Sequence, residues 1–416
     1  MLAVLTFGSE KTRVAQRPST AIQPAGGHSA MHRRSAVKVL IATVFLSLSV
    51  ILITAITFFA DAPEPRRRVY SKTVVFPQAG SDTVFNQPWS IPEPKIVENF
   101  ANERLIYSNF SYSKGMGNQM FQLASLTAIA ARTKAKVVIP VSVLLRRSFV
   151  LDTNLVVYAE DSYIESKLLE LKENTVDVQS CCTYQDLSPQ FNSRNETAIL
   201  GYLQSRAYFD QREEETKKMF TFYKAVQTMA SDFLQAAFVE RSLRIGDARM
   251  RAGAIPGVDE DIDMAGDPLD SNVFIVGIHI RRGMDIRMNE RNKRHGHVFA
   301  PLDYLKKAMK KAVDGQDEYL YVICSDDIAW VKKNFREEEY GSVSFCPSRW
   351  REVDMAILLR SDVLILSTGT FSWWTGYLAP NPDKVFYYGG WPKPGSILDH
   401  MVDKEQYFPS KWIPLS

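Results

Sequence analysis

The stretch SNVFIVGIHIRRGMDIRMNE, residues 271–290, decides how the fold of the whole chain is interpreted. Residues 273–280 form a short, apolar, β-branched run of strand length, and His279, Arg281 and Arg282 stand at its end. In open α/β sheets ligands bind at this end of the strands, and adjacent guanidinium groups bind phosphate through paired hydrogen bonds. The stretch therefore predicts a diphosphate site. A strand that ends in solvated arginines is the simpler alternative.

Length and composition are those of an ordinary globular protein. The chain has 416 residues, of which 45% are hydrophobic and 23% charged, so two or three domains are expected. The net charge of +3 is small against 50 basic and 47 acidic residues. This balance argues against bulk nucleic-acid binding, and any recognition of phosphate should be local.

The N-terminal region predicts a membrane anchor. Residues 1–38 lack apolar periodicity and are interpreted as a cytoplasmic tail. Residues 39–60 carry no charge and are long enough to cross a bilayer as a helix. A cleaved signal peptide is the alternative, but the run is long and starts far from the first residue. The proline-containing segment 61–100 is expected to be a stem between the membrane and the folded body.

Basic residues flank residues 39–60 on both sides, so charge does not decide the orientation of this helix. Two N-glycosylation sequons, at Asn109 and Asn195, both follow the helix. Because glycosylation takes place in the secretory lumen, they favour a type II protein with its body in the lumen.

Residues 101–250 predict an N-terminal α/β domain on the acceptor side. Gly115 and Gly117 form a flexible turn, and Asn118 is expected to cap the apolar helix that follows. Residues 137–139 predict a buried strand that Pro140 ends. A glycine loop followed by a helix and a strand is typical of nucleotide-binding α/β units, although turn glycines are common without that function.

The rest of this half is less regular. Residues 150–205 show no clear pattern, whereas residues 211–243 predict helical structure, with aromatic residues recurring on apolar faces. The glycine-containing, acidic segment 251–270 is interpreted as a linker or loop between domains.

Residues 271–416 predict a doubly wound parallel sheet. Strands alternate with helices throughout, and the loops that follow the strands should converge on one edge. After the first strand, the expected elements are helices at 301–313, 330–335 and 352–359 and strands at 319–323, 343–345, 363–366 and 385–388.

Several of these loops carry polar residues suited to a ligand. Residues 367–372, Ser-Thr-Gly-Thr-Phe-Ser, open a helix whose free N–H groups and dipole favour a phosphate. Asp326 and Asp327 follow another strand, where a ligand role and a helix-cap role are both open. Asp354 lies in the first turn of a helix, as acids commonly do, or contacts a donor base. His279 is interpreted either as a hydrogen-bonded strand residue or as part of the site.

The sequence contains no Asp-x-Asp at a strand end, no His-x-x-x-His, and no cysteine pair with ligand spacing. We therefore expect no metal, with arginine and a helix dipole neutralising a leaving diphosphate. Cys324 and Cys346 end what should be neighbouring strands, so we expect a disulfide between them. The pairing of Cys181 and Cys182 stays open.

Four motifs together resemble α-1,2-fucosyltransferases of glycosyltransferase family 11. They are residues 115–122 (Gly-Met-Gly-Asn-Gln-Met-Phe-Gln), 279–283 (His-Ile-Arg-Arg-Gly), 325–327 (Ser-Asp-Asp) and 367–374 (Ser-Thr-Gly-Thr-Phe-Ser-Trp-Trp). The resemblance spans about residues 105–392. It implies a GT-B-like α/β fold of two Rossmann-type domains, GDP-fucose as donor, no required metal, and inversion at the anomeric carbon.

The same resemblance assigns roles to individual residues. Arg281 would hold the donor β-phosphate, and the residues assisting it would be Arg282, Thr370, Phe371 and Ser372. His279 and Asp354 would lie near guanine, with Asp326 and Asp327 also on the donor side. Asn118 and Gln119 would face the acceptor cleft.

One departure from the family pattern concerns the catalytic carboxylate. The family usually has Asp directly after the glycine of the arginine motif, whereas Met284 stands there in this chain. Related fucosyltransferases carry a glutamate five residues beyond that Asp, and Glu290 keeps this spacing from Asp285. Glu290 is therefore the first candidate for general base and Asp285 the second.

The expected protein is thus a Golgi membrane enzyme that transfers fucose from GDP-fucose to O2 of a terminal β-galactose. The alternatives are an α-1,6- or protein O-fucosyltransferase, and an inactive glycan-binding membrane protein in which Met284 has disabled the loop.

Overall fold

The structure is a computed structural model of the chain. It describes residues 87–96, 103–110, 115–151, 154–191, 195–251, 273–283 and 289–416. These residues all belong to one compact unit, Ala79–Ser416. The predicted tail, the predicted transmembrane helix at 39–60, most of the stem and the acidic segment up to residue 272 lie outside the described residues. Within the described residues, no helix combines the length and the apolar character needed to cross a membrane.

The first half of the unit is built on a parallel sheet. Its strands are β1 (Arg104–Tyr107), β2 (Ala135–Pro140), β3 (Val156–Ala159), β4 (Thr175–Asp177) and β5 (Glu196–Leu200). Over the described residues the strand order is β3-β2-β1-β5-β4, and each neighbouring pair is parallel. The predicted strand at 137–139 is confirmed, whereas β3, β4 and β5 lie in the region whose sequence shows no clear pattern.

Among the residues that the structure describes, four α-helices accompany these strands: α1 (Met116–Thr133), α2 (Asp161–Glu170), α3 (Glu213–Met219) and α4 (Lys224–Arg251). The helical prediction over 211–243 is confirmed for most of that range, but α3 and α4 are separated by a short non-helical segment at residues 220–223. The backbone of Phe222 bridges Phe149, and the carbonyl of Thr221 accepts a hydrogen bond from the amide of Val150. These pairings hold the segment in an extended conformation that a helix could not adopt.

The second half contains β6 (Phe274–Ile280), β7 (Tyr319–Ser325), β8 (Val343–Phe345), β9 (Val363–Leu366), β10 (Val385–Tyr388) and β11 (Ile413–Leu415). Its helices are α5 (Glu290–His295), α6 (Leu302–Ala312), α7 (Ile328–Asn334), α8 (Glu337–Tyr340), α9 (Arg351–Leu358), α10 (Thr370–Tyr377), α11 (Ile397–Met401) and α12 (Lys404–Tyr407). In the part of the chain that is described, the parallel strands follow the order β11-β10-β9-β6-β7-β8. The predicted parallel α/β sheet is confirmed, and β11 extends it.

Strand order fixes the place of the candidate site. The chain proceeds from β6 to β7 and β8 on one side, and then returns to β9 on the other side of β6. The carboxyl ends of β6 and β9 therefore flank a topological switch point, the usual ligand site of open α/β sheets. The motif at 279–283 and the loop at 367–372 follow these two strands.

The two halves of the unit share a core. Trp373 and Trp374 of α10 are 2% and 0% exposed. The ring of Phe121, on α1, lies 4.4 Å from that of Trp373 and 5.1 Å from that of Trp374. Both tryptophans are therefore core residues, and their packing joins α1 to α10.

A buried ion pair also links the halves. Nε of Arg147 lies 2.7 Å from Oε1 of Glu352 on α9, and Nη2 donates to Oε2 at 2.9 Å. Trp89 covers the pair, since its indole N–H donates to the carbonyl of Arg147 and its ring meets that of Trp350 edge to face. The end of the region expected to be stem, around Trp89, thus packs into the body.

All four cysteines are in disulfides. Cys324 at the end of β7 pairs with Cys346 just after β8, as the sequence predicts, and Cys181 pairs with its neighbour Cys182.

Arg147→Met should destabilise the protein by about 3–5 kcal/mol, because it leaves the fully buried carboxylate of Glu352 without its counter-charge. The double variant Arg147→Met/Glu352→Met should be clearly more stable than this single variant. Urea unfolding of the full chain in detergent, followed by tryptophan fluorescence, measures both. Equal stability of the single and double variants would show that the pair does not bear on folding.

Candidate functional site

His279 is buried at the end of β6. Its Nδ1 lies 2.6 Å from Oγ of Ser372, within hydrogen-bonding distance, and its ring packs beside Phe371 at 4.6 Å. Burial, together with the positive charge of Arg281, lowers the pKa of His279 to about 3. The imidazole is therefore neutral at physiological pH, and it supports the loop at 367–372 rather than adding charge to the site.

Arg281 lies against that same loop. Its backbone N–H donates to Oγ of Ser367 at 2.8 Å. A β-carbon placed on Gly369, whose φ is +91°, would lie 3.0 Å from Cδ of Arg281, so a larger residue would strain the backbone and crowd the arginine side chain. The cationic side chain thus extends beside the residue that precedes α10. Arg281 and the N-terminus of α10 are together suited to an anion.

The side chain of Arg282 lies toward β7, on the other side of β6 from the loop that Arg281 contacts. Its guanidinium carbon lies 3.9 Å from the ring centre of Trp330 and 4.6 Å from that of Phe299. Its backbone N–H donates to Oδ1 of Asp326 at 2.6 Å. The structure thus directs the two arginines to different sides, and a phosphate role for Arg282 stays a prediction.

The two aspartates after β7 have different partners. Asp327 caps α7, since its Oδ1 accepts a hydrogen bond from the amide of Trp330 at 3.1 Å. Asp326 holds the backbone of Arg282. Of the two alternatives left open for Asp327, the structure supports the cap, and for Asp326 it supports a role in fixing the end of β6.

Asp354 is a buried acid on α9. Its Oδ1 accepts a hydrogen bond from the amide of Ser348 at 3.3 Å. Burial, reinforced by the negative charge of Glu352 and opposed by the Ser348 hydrogen bond, raises the pKa of Asp354 to about 8. The side chain is therefore largely a neutral carboxylic acid at neutral pH, able to donate a hydrogen bond as well as accept one.

Asn118 connects the two halves of the site. The prediction that it caps α1 is wrong, because the helix begins at Met116 and Asn118 lies in its first turn. Its Oδ1 instead accepts hydrogen bonds from Nε2 of Gln204 at 3.0 Å and from Oγ1 of Thr370 at 2.7 Å. Such a tertiary role leaves no local signal in the sequence, and nothing in the sequence predicts a role for Gln204 in the site.

Gln119, the neighbour of Asn118, is directed into the body. It is 5% exposed, and its Nε2 donates to the carbonyl of Phe110 at 3.1 Å. Asn118 thus lies at the loop of the candidate site, whereas Gln119 supports the segment before α1.

The candidate bases are less well placed. Glu290 begins α5 with its side chain 71% exposed, and Nζ of Lys293 lies 2.7 Å from its carboxylate. The hydrogen bond and charge of Lys293 lower the pKa of Glu290. Asp285 lies outside the described residues. Of the two predicted glycosylation sites, Asn195 is exposed and Asn109 is half-buried.

The pKa of Asp354 predicts how stability depends on pH. An aspartate in an unfolded chain has a pKa near 4, so the folded chain retains this proton to higher pH. The contribution to stability is complete below about pH 4 and is lost as pH rises to about 8. Asp354→Asn removes this loss. The difference in Tm between Asp354→Asn and the wild type should therefore shift by roughly 5–10 °C in favour of the variant as pH rises from 5 to 8.

Differential scanning fluorimetry of both proteins across this range measures the gain. Asp317→Asn, which changes an exposed acid, serves as control and should show no such trend. A constant difference in Tm between Asp354→Asn and the wild type would contradict the assigned pKa.

Part of the sequence matches a known family, and several known proteins are similar to the chain. Residues 259–395 match the model of Glycosyl transferase family 11. The O-antigen biosynthesis glycosyltransferase WbnK of Escherichia coli is 30% identical over 115 residues, which cover 27% of this chain and 37% of that protein. Galactoside alpha-(1,2)-fucosyltransferase 1 of Saimiri sciureus is 25% identical over 356 residues, or 84% of each chain. Galactoside 2-alpha-L-fucosyltransferase Sec1 of Mus musculus is 25% identical over 52% of this chain and 50% of its own.

Two solved structures are also similar. NodZ α-1,6-fucosyltransferase, soaked with GDP-fucose, has 15% sequence identity and a TM-score of 0.35, covering 67% of this chain and 94% of its own. POFUT1 in complex with GDP has 11% identity and a TM-score of 0.39, covering 69% of this chain and 98% of its own.

Proposed function

The chain is a glycosyltransferase of family 11, and from this premise we propose that it is a galactoside α-1,2-fucosyltransferase. It transfers L-fucose from GDP-fucose to O2 of a terminal β-galactose, with inversion at the anomeric carbon. The observation that carries the proposal is the contact of Arg281 with the loop before α10, at the switch point of the parallel sheet. An α-1,6- or protein O-fucosyltransferase is the second candidate, since it would use the same donor residues.

Donor binding follows from this contact. The diphosphate lies between the guanidinium of Arg281 and the N-terminal amides of α10, with Thr370, Phe371 and Ser372 forming the start of that helix. As the bond from fucose to the β-phosphate breaks, negative charge grows on the leaving GDP. A fixed guanidinium and oriented amides stabilise that charge without rearrangement. We propose that these groups suffice without a divalent metal, so that turnover continues with EDTA present.

Asp354 is proposed to contact the guanine of the donor, with His279 nearby. A neutral carboxylic acid offers both a donor and an acceptor to a base edge. The neutral His279 holds Phe371 and Ser372 in place, and so keeps the loop ready for the diphosphate.

The attacking hydroxyl needs a proton acceptor. We propose Glu290 as first candidate and Asp285 as second. The pair with Lys293 keeps Glu290 ionised, so it is able to accept a proton, but it is exposed and must approach the acceptor sugar when that sugar binds. Turnover of Glu290→Gln close to that of the wild type would rule this residue out.

The proposed cellular setting is the Golgi membrane. A helix at residues 39–60 would anchor the chain as a type II protein, with the described body in the lumen. The exposed sequon residue Asn195 and the disulfide between Cys324 and Cys346 suit an oxidising lumenal compartment.

Arg281→Ala should lower kcat/KM for GDP-fucose by about 100- to 1,000-fold, because it removes a group that stabilises the charge of the leaving diphosphate. Arg281→Lys keeps the charge but not the planar fork, and should recover only part of the loss. GDP release by the full chain in detergent, with a β-galactoside acceptor and EDTA, gives both values. Arg336→Ala, an exposed arginine on the same half, is the control and should match the wild type.

Near-normal turnover of Arg281→Ala would contradict the proposed diphosphate site. Transfer that occurs only to an N-glycan core or to a protein hydroxyl, and not to galactosides, would instead favour the second candidate function.

A further inference from the structure

A recess with an aromatic wall lies beside Arg281, at the carboxyl ends of β9 and β10. Ser367 and Gly369, which both contact Arg281, form one side of it. The other sides are aromatic: Tyr387, Tyr388, Trp391, Tyr407, Phe408 and Trp412. Binding of a diphosphate would use the serine and glycine side and leaves the aromatic side, which packs in the core, without an assigned ligand.

The order of the strands indicates which part of a donor would reach this recess. Along the carboxyl edge the order is β8, β7, β6, β9, β10. Asp354, the proposed contact of the base, is on the helix after β8, and Arg281 follows β6. A nucleotide with its base near Asp354 and its diphosphate at Arg281 points its sugar toward β9 and β10. Neighbouring strands are about 4.8 Å apart, so the recess begins roughly one strand spacing beyond the diphosphate.

The recess is lined mainly by aromatic carbon, and the serine and threonine hydroxyls on its inner side already have partners. Oγ of Ser367 accepts from the amide of Arg281, and Oγ of Ser372 is within hydrogen-bonding distance of His279. The aromatic side is already packed: Phe408 stacks on Tyr387 with ring centres 4.2 Å apart. A small apolar group suits such a recess, whereas a hydroxyl would exchange its hydrogen bonds to water for at most the indole N–H of Trp412, which has no partner among the described residues.

We propose that this recess receives the C6 methyl group of the donor fucose, and that it selects a 6-deoxy sugar at the proposed donor site. The inference rests on the proposed function, since it presumes a GDP-sugar with its diphosphate at Arg281. Fucose differs from L-galactose only in lacking the hydroxyl on C6. D-arabinose is fucose without its C6 carbon. L-galactose therefore tests whether the recess disfavours a hydroxyl, and D-arabinose tests whether the methyl group contacts the recess.

The test compares kcat/KM of the full chain in detergent for GDP-fucose, GDP-D-arabinose and GDP-L-galactose with one β-galactoside acceptor. Loss of a single methyl contact in an apolar pocket lowers kcat/KM by about 10- to 200-fold, and an added hydroxyl by about 100-fold. We expect GDP-fucose to be favoured over both analogues within these ranges.

Phe408→Ala should reduce the preference for GDP-fucose over GDP-D-arabinose to a few-fold, while kcat/KM for GDP-D-arabinose changes little. Phe408 is half-buried, so the truncated chain should fold, and Phe408→Leu should retain most of the preference. The control is Phe274→Ala, which removes a half-buried ring at the opposite end of β6 and should leave the preference intact.

Each result has a definite meaning. Equal use of GDP-fucose and GDP-D-arabinose by the wild type would overturn the recess proposal and leave the proposed function standing. An unchanged preference in Phe408→Ala, or a rise confined to KM for the acceptor, would assign the methyl group elsewhere. If no sugar is transferred, the proposed function fails, and calorimetry still tests the recess. The recess proposal would be supported if GDP-fucose bound more tightly than GDP-D-arabinose and Phe408→Ala abolished the difference. Equal binding of the two would overturn the recess proposal.

Discussion

The close packing of the first turn of α1 against the start of α10 is the contact on which the candidate site depends. A β-carbon on Gly117 would lie 2.6 Å from the carbonyl carbon of Thr370, so the two backbones meet only because residue 117 is glycine. One residue later, Asn118 accepts the hydroxyl of Thr370. The loop before α10 is therefore held by α1 from one half of the unit and by Arg281 from the other. A diphosphate site built on this loop needs both halves in place.

The electrostatics of the site follow from burial. His279 is neutral at physiological pH because its surroundings exclude water and Arg281 is close, and Asp354 is largely protonated because it is buried near Glu352. The positive charge that remains at the switch point comes from Arg281 and the N-terminus of α10. This balance suits a diphosphate, because neither His279 nor Asp354 adds an ionised group of its own to the site at neutral pH. It also explains why the buried acid and the buried histidine are better suited to positioning than to proton transfer at neutral pH.

The sequence was most informative where structure is local. The apolar runs of β6 and β7 and the helix starts that follow them identified the second sheet and its ligand edge, and they also predicted the disulfide between Cys324 and Cys346. The strands β3, β4 and β5 leave no clear pattern in the sequence because they are three to five residues long, and β4 and β5 include polar or acidic residues. The sequence predicts a helix cap at Asn118 because the partners of its side chain, Gln204 and Thr370, are distant in sequence. Likewise, Arg282 stands beside Arg281 in the chain, and only its packing between Trp330 and Phe299 shows that it faces the other way.

The central claim is that the chain transfers fucose to O2 of galactose, and the linkage of the product tests it most directly. The full chain would be incubated with GDP-fucose, lactose and EDTA, and the trisaccharide analysed by two-dimensional NMR. The account predicts one new α-linked fucose, with the coupling across the glycosidic bond assigned to O2 of galactose. Fucose on any other oxygen, or activity that appears only after a divalent metal is restored, would contradict it.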